Sequence, residues 1–307
     1  MIGVKQLRSK NYDQKTTIKK QHTATHPYSG RKAVLATMHG KELAIGPPFH
    51  KLLQVSIEIP EGIDTDRLGT FTGEIARKGT PLETLRKKVK IGMEHLGIPY
   101  GIASEGSFGP YVYFPFIAQD HEILLWIDDE RGIEVVEQKI STDTNYNSKT
   151  VSKRNYLGYF LNKSFSPSHA LIVRPNSGFI PGLTFKGLKK VNEVKEAIKR
   201  CAAASTDGLA LVQTDMRAHM NPTRMKVIGE LAEKMAHRLA TLCPNCSCPG
   251  WGIVDVVQGL PCGGCGLKTE QIAQEVYGCP SCDLRKTMPR QDGVTKSSPA
   301  YCHWCNP

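Results

Sequence analysis

The sequence predicts a mixed α/β domain that is followed by a small cysteine-rich module. Two observations lead to this fold class. In the middle of the chain, short runs of apolar and β-branched residues alternate with segments of helical periodicity, which is typical of a sheet flanked by helices. Nine of the ten cysteines then lie after residue 242.

The overall composition is that of a globular protein. The chain has 307 residues, of which 40% are hydrophobic and 22% are charged, and this length corresponds to about two domains. No stretch approaches the roughly 18 uninterrupted apolar residues of a membrane span, and the first residues lack the apolar core of a secretory signal. We therefore expect a soluble, cytoplasmic protein without membrane contacts, and the composition leaves its oligomeric state open.

The N-terminal segment is the most basic part of the chain. Residues 1–32 carry eight lysine and arginine residues against one aspartate, and the net charge of the whole chain is +11. The segment shows neither helical nor strand periodicity, so we predict a flexible basic arm over residues 1–30. Such an arm either contacts nucleic-acid phosphates without sequence preference or serves as a solubilising tail, and we favour the second interpretation.

The α/β domain is expected over residues 31–240. Its strands are predicted where apolar and β-branched residues cluster, at 32–37, 53–59, 100–104, 122–128, 133–138, 169–174 and 209–215. The four residues 129–132, with the sequence Asp-Glu-Arg-Gly, indicate a hairpin between two of these strands. Because helices alternate with the strands, we expect one mixed or mostly parallel sheet between helical layers.

Three helices are predicted in this domain. The first begins at Thr80, which forms a capping-box pattern with Glu83. The second carries apolar residues at helical spacing over 191–201, and the third follows Asn221 as its N-cap. The third helix leads directly to Cys243, so we expect the cysteine-rich module to lie against the α/β domain.

Eight cysteines form four CxxC pairs, and this pattern is the most specific signal in the chain. The pairs are Cys243/Cys246, Cys262/Cys265, Cys279/Cys282 and Cys302/Cys305. A gap of two residues lets both thiolates of one tight knuckle bind the same ion, and two knuckles complete a tetrahedral shell. Disulfides are the alternative, but nothing in the sequence indicates secretion, and cytosolic thiols stay reduced. We predict two structural Zn²⁺ ions in a double zinc-ribbon module over residues 241–307.

The pairing of the knuckles stays open at this point. Sequential pairing gives two consecutive ribbons, whereas interleaved pairing gives a cross-braced module, and the short intervals between knuckles favour the sequential form. A closed four-thiolate site has no open coordination position, so the ions are expected to fold the chain and not to activate water. The module balances five basic residues with five acidic ones, which favours a scaffold or partner-docking role over phosphate binding. Its large aromatic residues are expected to fill its core, namely Trp251, Tyr277, Tyr301 and Trp304.

Polar residues collect just after the predicted strands, where α/β proteins place their sites. After the first strand, Thr37, Gly40 and Lys41 can present a hydroxyl, backbone amides and a cation to a phosphate, and His39 in the same turn is a further candidate. After the strand at 100–104, Glu105 and Ser107 form a carboxylate and small-residue pattern that suits Mg²⁺ beside a phosphate. Further candidates are Asp66, Glu74, Glu83, Lys88, Arg217 and Arg224. Each has a structural alternative, such as helix capping by Glu83 or solvation of Lys41.

Two resemblances rest on these motifs. The whole chain resembles an uncharacterised bacterial family with a C-terminal zinc module, most clearly in the segments DTDRLGTFTGE, ASEGSFGP, TDMRAHMNPTRM and CHWCNP. Residues 31–110 also resemble, more distantly, nucleotide pyrophosphatases of the inosine/xanthosine triphosphatase type. That likeness rests on Thr37, Lys41, Glu83, Lys88 and Glu105, with Arg224 at the place of a later Ser-His-Arg motif. The chain departs from that type in lacking the asparagine of the first motif and in having Ser104 for one acidic residue.

The second resemblance implies Mg²⁺-dependent hydrolysis of a nucleoside triphosphate to a monophosphate and pyrophosphate. The metal would be held by Glu105 together with Asp66, Glu74 or Glu83. The phosphates would be neutralised by Lys41, Lys88 and Arg224, beside Thr37, His39, Ser107 and Arg217. Two alternatives stay open: a non-catalytic zinc-ribbon protein that docks on nucleic acid or a protein partner, and a degenerate pyrophosphatase fold retained as a scaffold.

Overall fold

The structure is a computed structural model, and it describes residues 25–63, 79–111, 114–152 and 168–307. Within these residues the helices are α1 (Glu42–Leu53), α2 (Pro81–Leu96), α3 (Val191–Ala204) and α4 (Pro222–Ala240). The strands are β1 (Lys32–Leu35), β2 (Ser56–Glu58), β3 (Tyr100–Tyr111), β4 (Phe114–Asp128), β5 (Ile133–Ser141), β6 (Ser148–Val151), β7 (Leu171–Pro175), β8 (Phe185–Leu188), β9 (Ala210–Thr214), β10 (Gly252–Gln258), β11 (Ile272–Gly278) and β12 (Arg285–Pro289). No helix in this described part of the chain has the length and apolar character that a bilayer crossing requires.

The first sheet is mixed and has the strand order β2-β1-β3-β4-β5. The strands β2, β1 and β3 run parallel, with Leu35 opposite Ile102. The strands β3, β4 and β5 follow as an antiparallel meander, whose second turn is the predicted hairpin between Asp128 and Ile133. The α/β class that the sequence predicts is confirmed.

Helices cover both faces of this sheet. On one face α1 and α4 pack around Trp126, with Phe49 and Leu231 among the buried side chains. On the other face α2 contributes Leu85 and Val89. Because α1 leaves β1 on one face and α2 returns to β3 on the other, the direction of winding reverses between β1 and β3. Open α/β sheets bind their ligands at such a topological switch point, beyond the carboxyl ends of the strands.

The three predicted helices are confirmed as α2, α3 and α4. At the start of α2 the Thr80 hydroxyl accepts the N–H of Glu83 at 3.2 Å, and the Glu83 carboxylate accepts the N–H of Thr80 at 2.7 Å. At the start of α4 the Asn221 side-chain oxygen accepts the N–H of Arg224 at 3.0 Å. These bonds satisfy N–H groups that the first turn of a helix leaves without an intrahelical partner.

Helix α1 has no counterpart in the sequence prediction. Pro47 and Pro48 lie inside it, and neighbouring prolines are typical of loops because they cannot donate backbone hydrogen bonds. Gln54, with a φ of 56°, stops the helix in a left-handed conformation. The strand predicted at 53–59 therefore begins only at Ser56.

The folded domain also begins earlier than predicted. Residues 1–24 of the predicted arm lie outside the described residues, but the end of that segment joins the core. Tyr28 is fully buried, and its hydroxyl donates to Asp128 at 2.8 Å and accepts from the Trp126 indole at 3.2 Å. The arm boundary at residue 30 is therefore wrong, because a buried aromatic ring anchors residues before it.

The remaining strands of the α/β region form a second sheet instead of extending the first. Its order is β6-β9-β7-β8, all pairs are antiparallel, and α3 packs on one face. Hydrophobic patterns locate strands but do not name their partners. Here the partners include β6 and β8, two strands of four residues that carry too little pattern to be recognised.

The C-terminal module is an antiparallel sheet of β10, β11 and β12. It lies against the first sheet, because Ile133 shares a buried cluster with Trp251 and Tyr277. Arg238 near the end of α4 strengthens this contact by donating to the carbonyls of Val136 and Gly250, each at 3.1 Å. The chain thus enters the module without a long linker.

Candidate functional site

The eight paired cysteines form two groups of four thiols at the two ends of the β10–β11 pair. One group is Cys243, Cys246, Cys279 and Cys282, and the other is Cys262, Cys265, Cys302 and Cys305. Within each group the sulfur atoms all lie within 4.8 Å of one another, and the closest pairs are 3.6–3.8 Å apart. A tetrahedral site with metal–sulfur bonds of about 2.3 Å requires sulfur atoms about 3.8 Å apart. Each group therefore fits one four-coordinate metal ion, and the separations are far too long for disulfides.

The knuckles pair in the interleaved order, so the sequential pairing favoured by the sequence is wrong. The physical reason is strand β10, which lies between the first and second knuckles. Its seven residues span about 23 Å and hold these two knuckles at opposite ends. Antiparallel pairing with β11 instead sets Gly252 opposite Gly278, which brings the first knuckle to the third. The second knuckle meets the fourth at the other end of the module.

Backbone N–H groups stabilise thiolates in these knuckles. The N–H of Gly264 donates to Cys262 Sγ at 3.3 Å, and the N–H of Ser281 donates to Cys279 Sγ at 3.3 Å. Backbone N–H groups, first that of Cys265 and then that of Gly264, lower the pKa of the Cys262 thiol to about 6. The two other cysteines are not part of these groups: Cys201 lies on the buried face of α3, and Cys248 is buried beside the first group.

A second cluster, of opposite charges, lies at the switch point of the first sheet. This charge cluster consists of Lys41, Lys88, Glu105, Asp120, Glu122 and Arg224, which come from the loop after β1, from α2, β3 and β4, and from the first turn of α4. The structure thus brings together four of the residues predicted from the sequence. Asp120 and Glu122 also belong to the cluster but were not predicted from the sequence.

Lys41 is placed where β1 ends. β1 pairs with β3 only as far as Leu35 opposite Ile102, and the chain then turns into α1, whose N-cap residue is Lys41. Its ammonium group donates to the Ser104 carbonyl at 3.1 Å and to the Ser104 hydroxyl at 2.8 Å. Burial, aided by the nearby Arg224 guanidinium, lowers the pKa of Lys41 to about 8. The neighbouring carboxylates of Glu122 and Glu105 partly offset this effect.

The carboxylates of Glu105 on β3 and Glu122 on β4 face different helices. Glu105 points toward α2 and forms an ion pair with Lys88, and both side chains are largely buried. Glu122 lies on the α4 face, fully buried, and accepts from Arg224 Nε at 2.5 Å. Arg224 also donates to the Met216 carbonyl at 2.5 Å. Two buried ion pairs therefore flank Lys41.

The Arg224 guanidinium lies so close to the backbone of β3 that only a glycine fits at the neighbouring position of that strand. Gly106 lies across from Glu122, and a Cβ atom at position 106 would overlap both Arg224 Nη2 and Glu122 Oε1. On its other side the guanidinium covers the Phe108 ring, 5.0 Å from the ring centroid. The ring stacks on Tyr146 at 5.8 Å.

Tyr146 links the charge cluster to a cleft of about 420 Å³. The cleft lies between the outer part of β4 and the segment after β5, and it is lined by Phe116, Ile117, Ala118, Thr142, Thr144, Asn145, Tyr146 and Asn147. Its volume lies within the range of small-molecule sites, and its mixture of apolar side chains with amides and hydroxyls is typical of such sites.

Other predicted site residues lie outside the charge cluster. The Glu83 carboxylate caps α2 on the surface, and the Arg217 guanidinium pairs with Asp215 at 2.6 Å. Thr37 and His39 stand in the loop before Lys41, where the Thr37 hydroxyl accepts the N–H of His39 at 3.4 Å. Ser107 is exposed on β3. Asp66 and Glu74 lie outside the described residues.

Sequence reasoning missed Asp120 and Glu122, although a signal was present. Alternate residues of a strand share a face, and both acids are in phase with the buried Leu124 and Trp126. Two carboxylates on the apolar side of a strand are a strong indication of a buried polar site.

The fold and its sites define an α/β protein with a charge cluster at its switch point and a C-terminal module built for two metal ions. Residues 88–307 match the family described as "Domain of unknown function (DUF6671)", so the chain belongs to this family. The matched region contains every cysteine of the metal groups and most of the charge cluster, whereas Lys41 precedes it. No curated protein matches the chain. Neither finding bears on the pyrophosphatase resemblance, which stays a prediction.

Proposed function

We propose that the chain is a hydrolase that cleaves a phosphoanhydride bond of a small molecule at the charge cluster. The specific reaction that the sequence resemblance implies is hydrolysis of a nucleoside triphosphate to a monophosphate and pyrophosphate. Water attacks the α-phosphorus atom, and the bond from this atom to the bridging oxygen breaks. The observation that carries the proposal is a buried cation, Lys41, which lies beyond the carboxyl end of β1 and beside Ser104 of β3.

The hydrogen bonds of Lys41 support a role in binding an anion. Its ammonium group donates to a carbonyl and a hydroxyl of Ser104, both of which are neutral. Among the described residues, no carboxylate forms an ion pair with it. A buried ammonium group with only neutral partners is costly to keep charged, which is why its pKa is low. A phosphate oxygen that enters the site would supply the missing negative charge.

The neighbouring groups extend this anion site. Arg224 is held by Glu122 and the Met216 carbonyl, so its position is fixed before a substrate arrives. The cleft beside Tyr146 provides room for the organic part of the substrate next to its charged part. The geometry therefore suits a molecule with one anionic end and one partly apolar end.

The predicted Mg²⁺ ligands do not fit a resident metal ion in the described part of the chain. Glu105 is engaged by Lys88, and Glu83 is engaged in its capping box on the surface. We therefore derive no catalytic step through a protein-bound Mg²⁺ ion, and the nucleotide is offered as its magnesium complex, which is the usual form of the substrate.

The test is pyrophosphate release from a panel of standard and deaminated nucleoside triphosphates, measured with Mg²⁺, with Mn²⁺ and with a chelator. We expect turnover of at least one nucleotide and a loss of about a hundredfold or more in Lys41→Met. The matched control is Lys51→Met, which removes an exposed lysine of α1 and should retain full turnover. Absence of both binding and pyrophosphate release over the whole panel would overturn the proposal.

For the C-terminal module we propose that the two metal ions are structural Zn²⁺. Support comes from the all-cysteine composition of both groups, from their tetrahedral spacing and from the closed shell that four thiolates provide. Elemental analysis of the purified protein should give two zinc ions per chain. A value below about 1.5 zinc ions per chain, or a majority of another metal, would contradict this assignment.

One observation favours a docking role of the module as a second candidate function. Trp251 and Tyr277 are buried in its core as predicted, but Tyr301 and Trp304 are 63% and 76% exposed. Exposed aromatic rings suit stacking on bases or contact with a protein surface. Trp304→Ala should weaken binding to single-stranded RNA or a partner at least tenfold if the module docks. Titration of Trp fluorescence with RNA measures this directly, and an unchanged signal would count against nucleic acid as the partner.

A further inference from the structure

Asp120 and Glu122 form a buried carboxyl pair that the proposed reaction does not yet use. Both side chains are fully buried on the α4 face of β4. Glu122 Oε1 accepts from Arg224, but no hydrogen-bond donor of the described residues reaches Glu122 Oε2 or either oxygen of Asp120. The two residues are separated by one position on β4, so their carboxyl groups are neighbours on the same buried face.

Two ionised carboxylates are not stable side by side in a buried site that offers them so few hydrogen-bond donors. A buried carboxylate without donors loses its hydration and gains nothing in return, and a second negative charge beside it adds repulsion. Either a cation or a proton must lie between the two groups. In the described residues, the only groups of three or more metal-binding side chains are the two cysteine groups. Arg224 and Lys41 already supply two positive charges here, which disfavours a metal ion and leaves the proton.

The hydrogen bonds decide which group carries the proton. Glu122 is stabilised as a carboxylate because it accepts from the Arg224 guanidinium at 2.5 Å. Asp120 receives no such bond. We propose that Asp120 is a neutral carboxylic acid which donates its proton in a hydrogen bond to Glu122, and that this bond fixes Glu122 and, through it, the Arg224 guanidinium. Asp120 is thus a positioning residue, and its effect on turnover rests on the proposed function.

The electrostatics of the surrounding elements agree with this assignment. Burial is the main cause that raises the pKa of Asp120 to about 8, and the negative charge of Glu122 raises it further. Arg224 from α4 and Lys41 from the start of α1 act in the opposite direction but do not cancel the rise. The residues across from Asp120 are Phe108 on β3 and Ser141 on β5, neither of which carries a charge.

The first test needs no substrate. In the wild-type protein, NMR titration of ¹³C-labelled aspartate side chains should show one aspartate that stays protonated at neutral pH and titrates near pH 8. The resonance should be absent in Asp120→Asn, and it should persist in Asp143→Asn, which changes an exposed aspartate. An Asp120 resonance that titrates near its ordinary value of about 4 would overturn the proposal.

The pH dependence of unfolding gives an independent readout. Because the pKa of Asp120 is raised in the folded state, the folded protein binds the extra proton between about pH 4 and pH 8, and stability from this group is lost as pH rises through that range. Relative to Asp120→Asn, the unfolding equilibrium constant of the wild type should rise by up to about tenfold per pH unit there and then level off. Parallel curves for the two proteins would contradict a shared proton.

A bound cation is the competing explanation, and it predicts a different result. If a divalent ion sits between the two carboxylates, Mg²⁺, Mn²⁺ or Ca²⁺ added alone should raise the Tm of the wild type and not that of Asp120→Asn. Such an ion-dependent difference would overturn the proposal, whereas equal shifts in both proteins support the proton.

Kinetics then tests the positioning role. Asp120→Ala removes the hydrogen bond to Glu122, whereas the amide of Asp120→Asn can still donate it. We expect the KM of Asp120→Ala to exceed that of Asp120→Asn by about tenfold, with a smaller difference in kcat, because Arg224 holds the bound substrate. Equal KM values would refute positioning through Glu122. If no substrate is found, the NMR and unfolding results still decide whether Asp120 carries the proton. Failure of the proposed hydrolase function can therefore be distinguished from failure of the Asp120 proposal.

Discussion

The cysteine groups and the charge cluster are built from the chain in opposite ways. Each knuckle of the module is a local turn that places two ligands at a fixed spacing, and one strand pair then brings distant knuckles together. The charge cluster has no local unit: Lys41, Glu122 and Arg224 lie far apart in the sequence and meet only because the sheet has its strand order and its switch point. A site can therefore be predicted from the sequence when its ligands lie within one local turn, because their spacing along the chain then fixes their spacing in the structure.

The two regions also differ in what holds them together. The module contributes only a small buried cluster around Trp251 and Tyr277, so we expect its stability to depend on metal ions bound by the two cysteine groups. The charge cluster lies on a large core that includes Trp126 and Phe49. Buried ion pairs contribute little net stability, but their rupture is expensive. Damage should therefore unfold the module and only weaken the α/β region.

The largest effect is expected from Cys262→Ser. Loss of one thiolate opens the second metal site, and structural zinc sites contribute on the order of 10 kcal/mol to folding. We expect unfolding of the part of the module around this second site, a fall from two zinc ions to about one per chain and loss of amide NMR dispersion in that part, while the α/β resonances persist. Cys201→Ser is the control outside the metal groups and should keep both ions. Full retention of two zinc ions in Cys262→Ser would contradict the view that each cysteine of the module is needed to hold its metal ion.

A smaller effect is expected from Arg224→Met. The substitution leaves Glu122 as a buried carboxylate without its donor, and removal of one partner from a buried pair costs about 3–5 kcal/mol. The double variant Arg224→Met with Glu122→Leu should recover much of this loss, because no charge then stays buried alone. Denaturant unfolding of the two single variants and the double variant measures the coupling. Additive losses would show that the pair is not coupled as the structure indicates.

Sequence reasoning reached the site residues that follow a predicted strand or open a helix, namely Lys41, Glu105 and Arg224. Glu105 was found although the predicted strand ended too early, because β3 runs on to Tyr111 and Glu105 lies within it. The pairing of these residues was not predicted, since it depends on the face of the sheet on which each side chain lies. Glu105 therefore meets Lys88 on the α2 face, while Arg224 meets Glu122 on the other. The knuckle pairing failed for a similar reason, because the strand between the first two knuckles was not recognised.

Gly106→Ala tests the close packing of the charge cluster without the removal of any charge. An added methyl group would overlap the Arg224 guanidinium and the Glu122 carboxylate, so the pair must shift. Overpacking of this kind costs about 1–3 kcal/mol. Gly109→Ala on the same strand is the matched control, because its Cβ would meet no atom within 4 Å. Thermal unfolding should separate the two variants, and equal Tm values would indicate that the cluster is loosely packed.

The smallest effect concerns the turn that follows the first knuckle. In the second knuckle Gly266 adopts a φ of +77° directly after Cys265, and the same place after Cys246 is taken by Ser247 with a φ of 57°. A left-handed backbone costs a residue with a side chain about 1 kcal/mol, whereas glycine adopts it freely. Ser247→Gly should therefore stabilise the first metal site by up to about 1 kcal/mol, seen as slower zinc loss to a chelator. Ser247→Val should do the reverse, because a β-branched side chain suits this conformation least. If neither substitution changes the rate of zinc release, the first knuckle does not share the backbone geometry of the second. The two metal sites would then resemble each other only in their cysteine ligands.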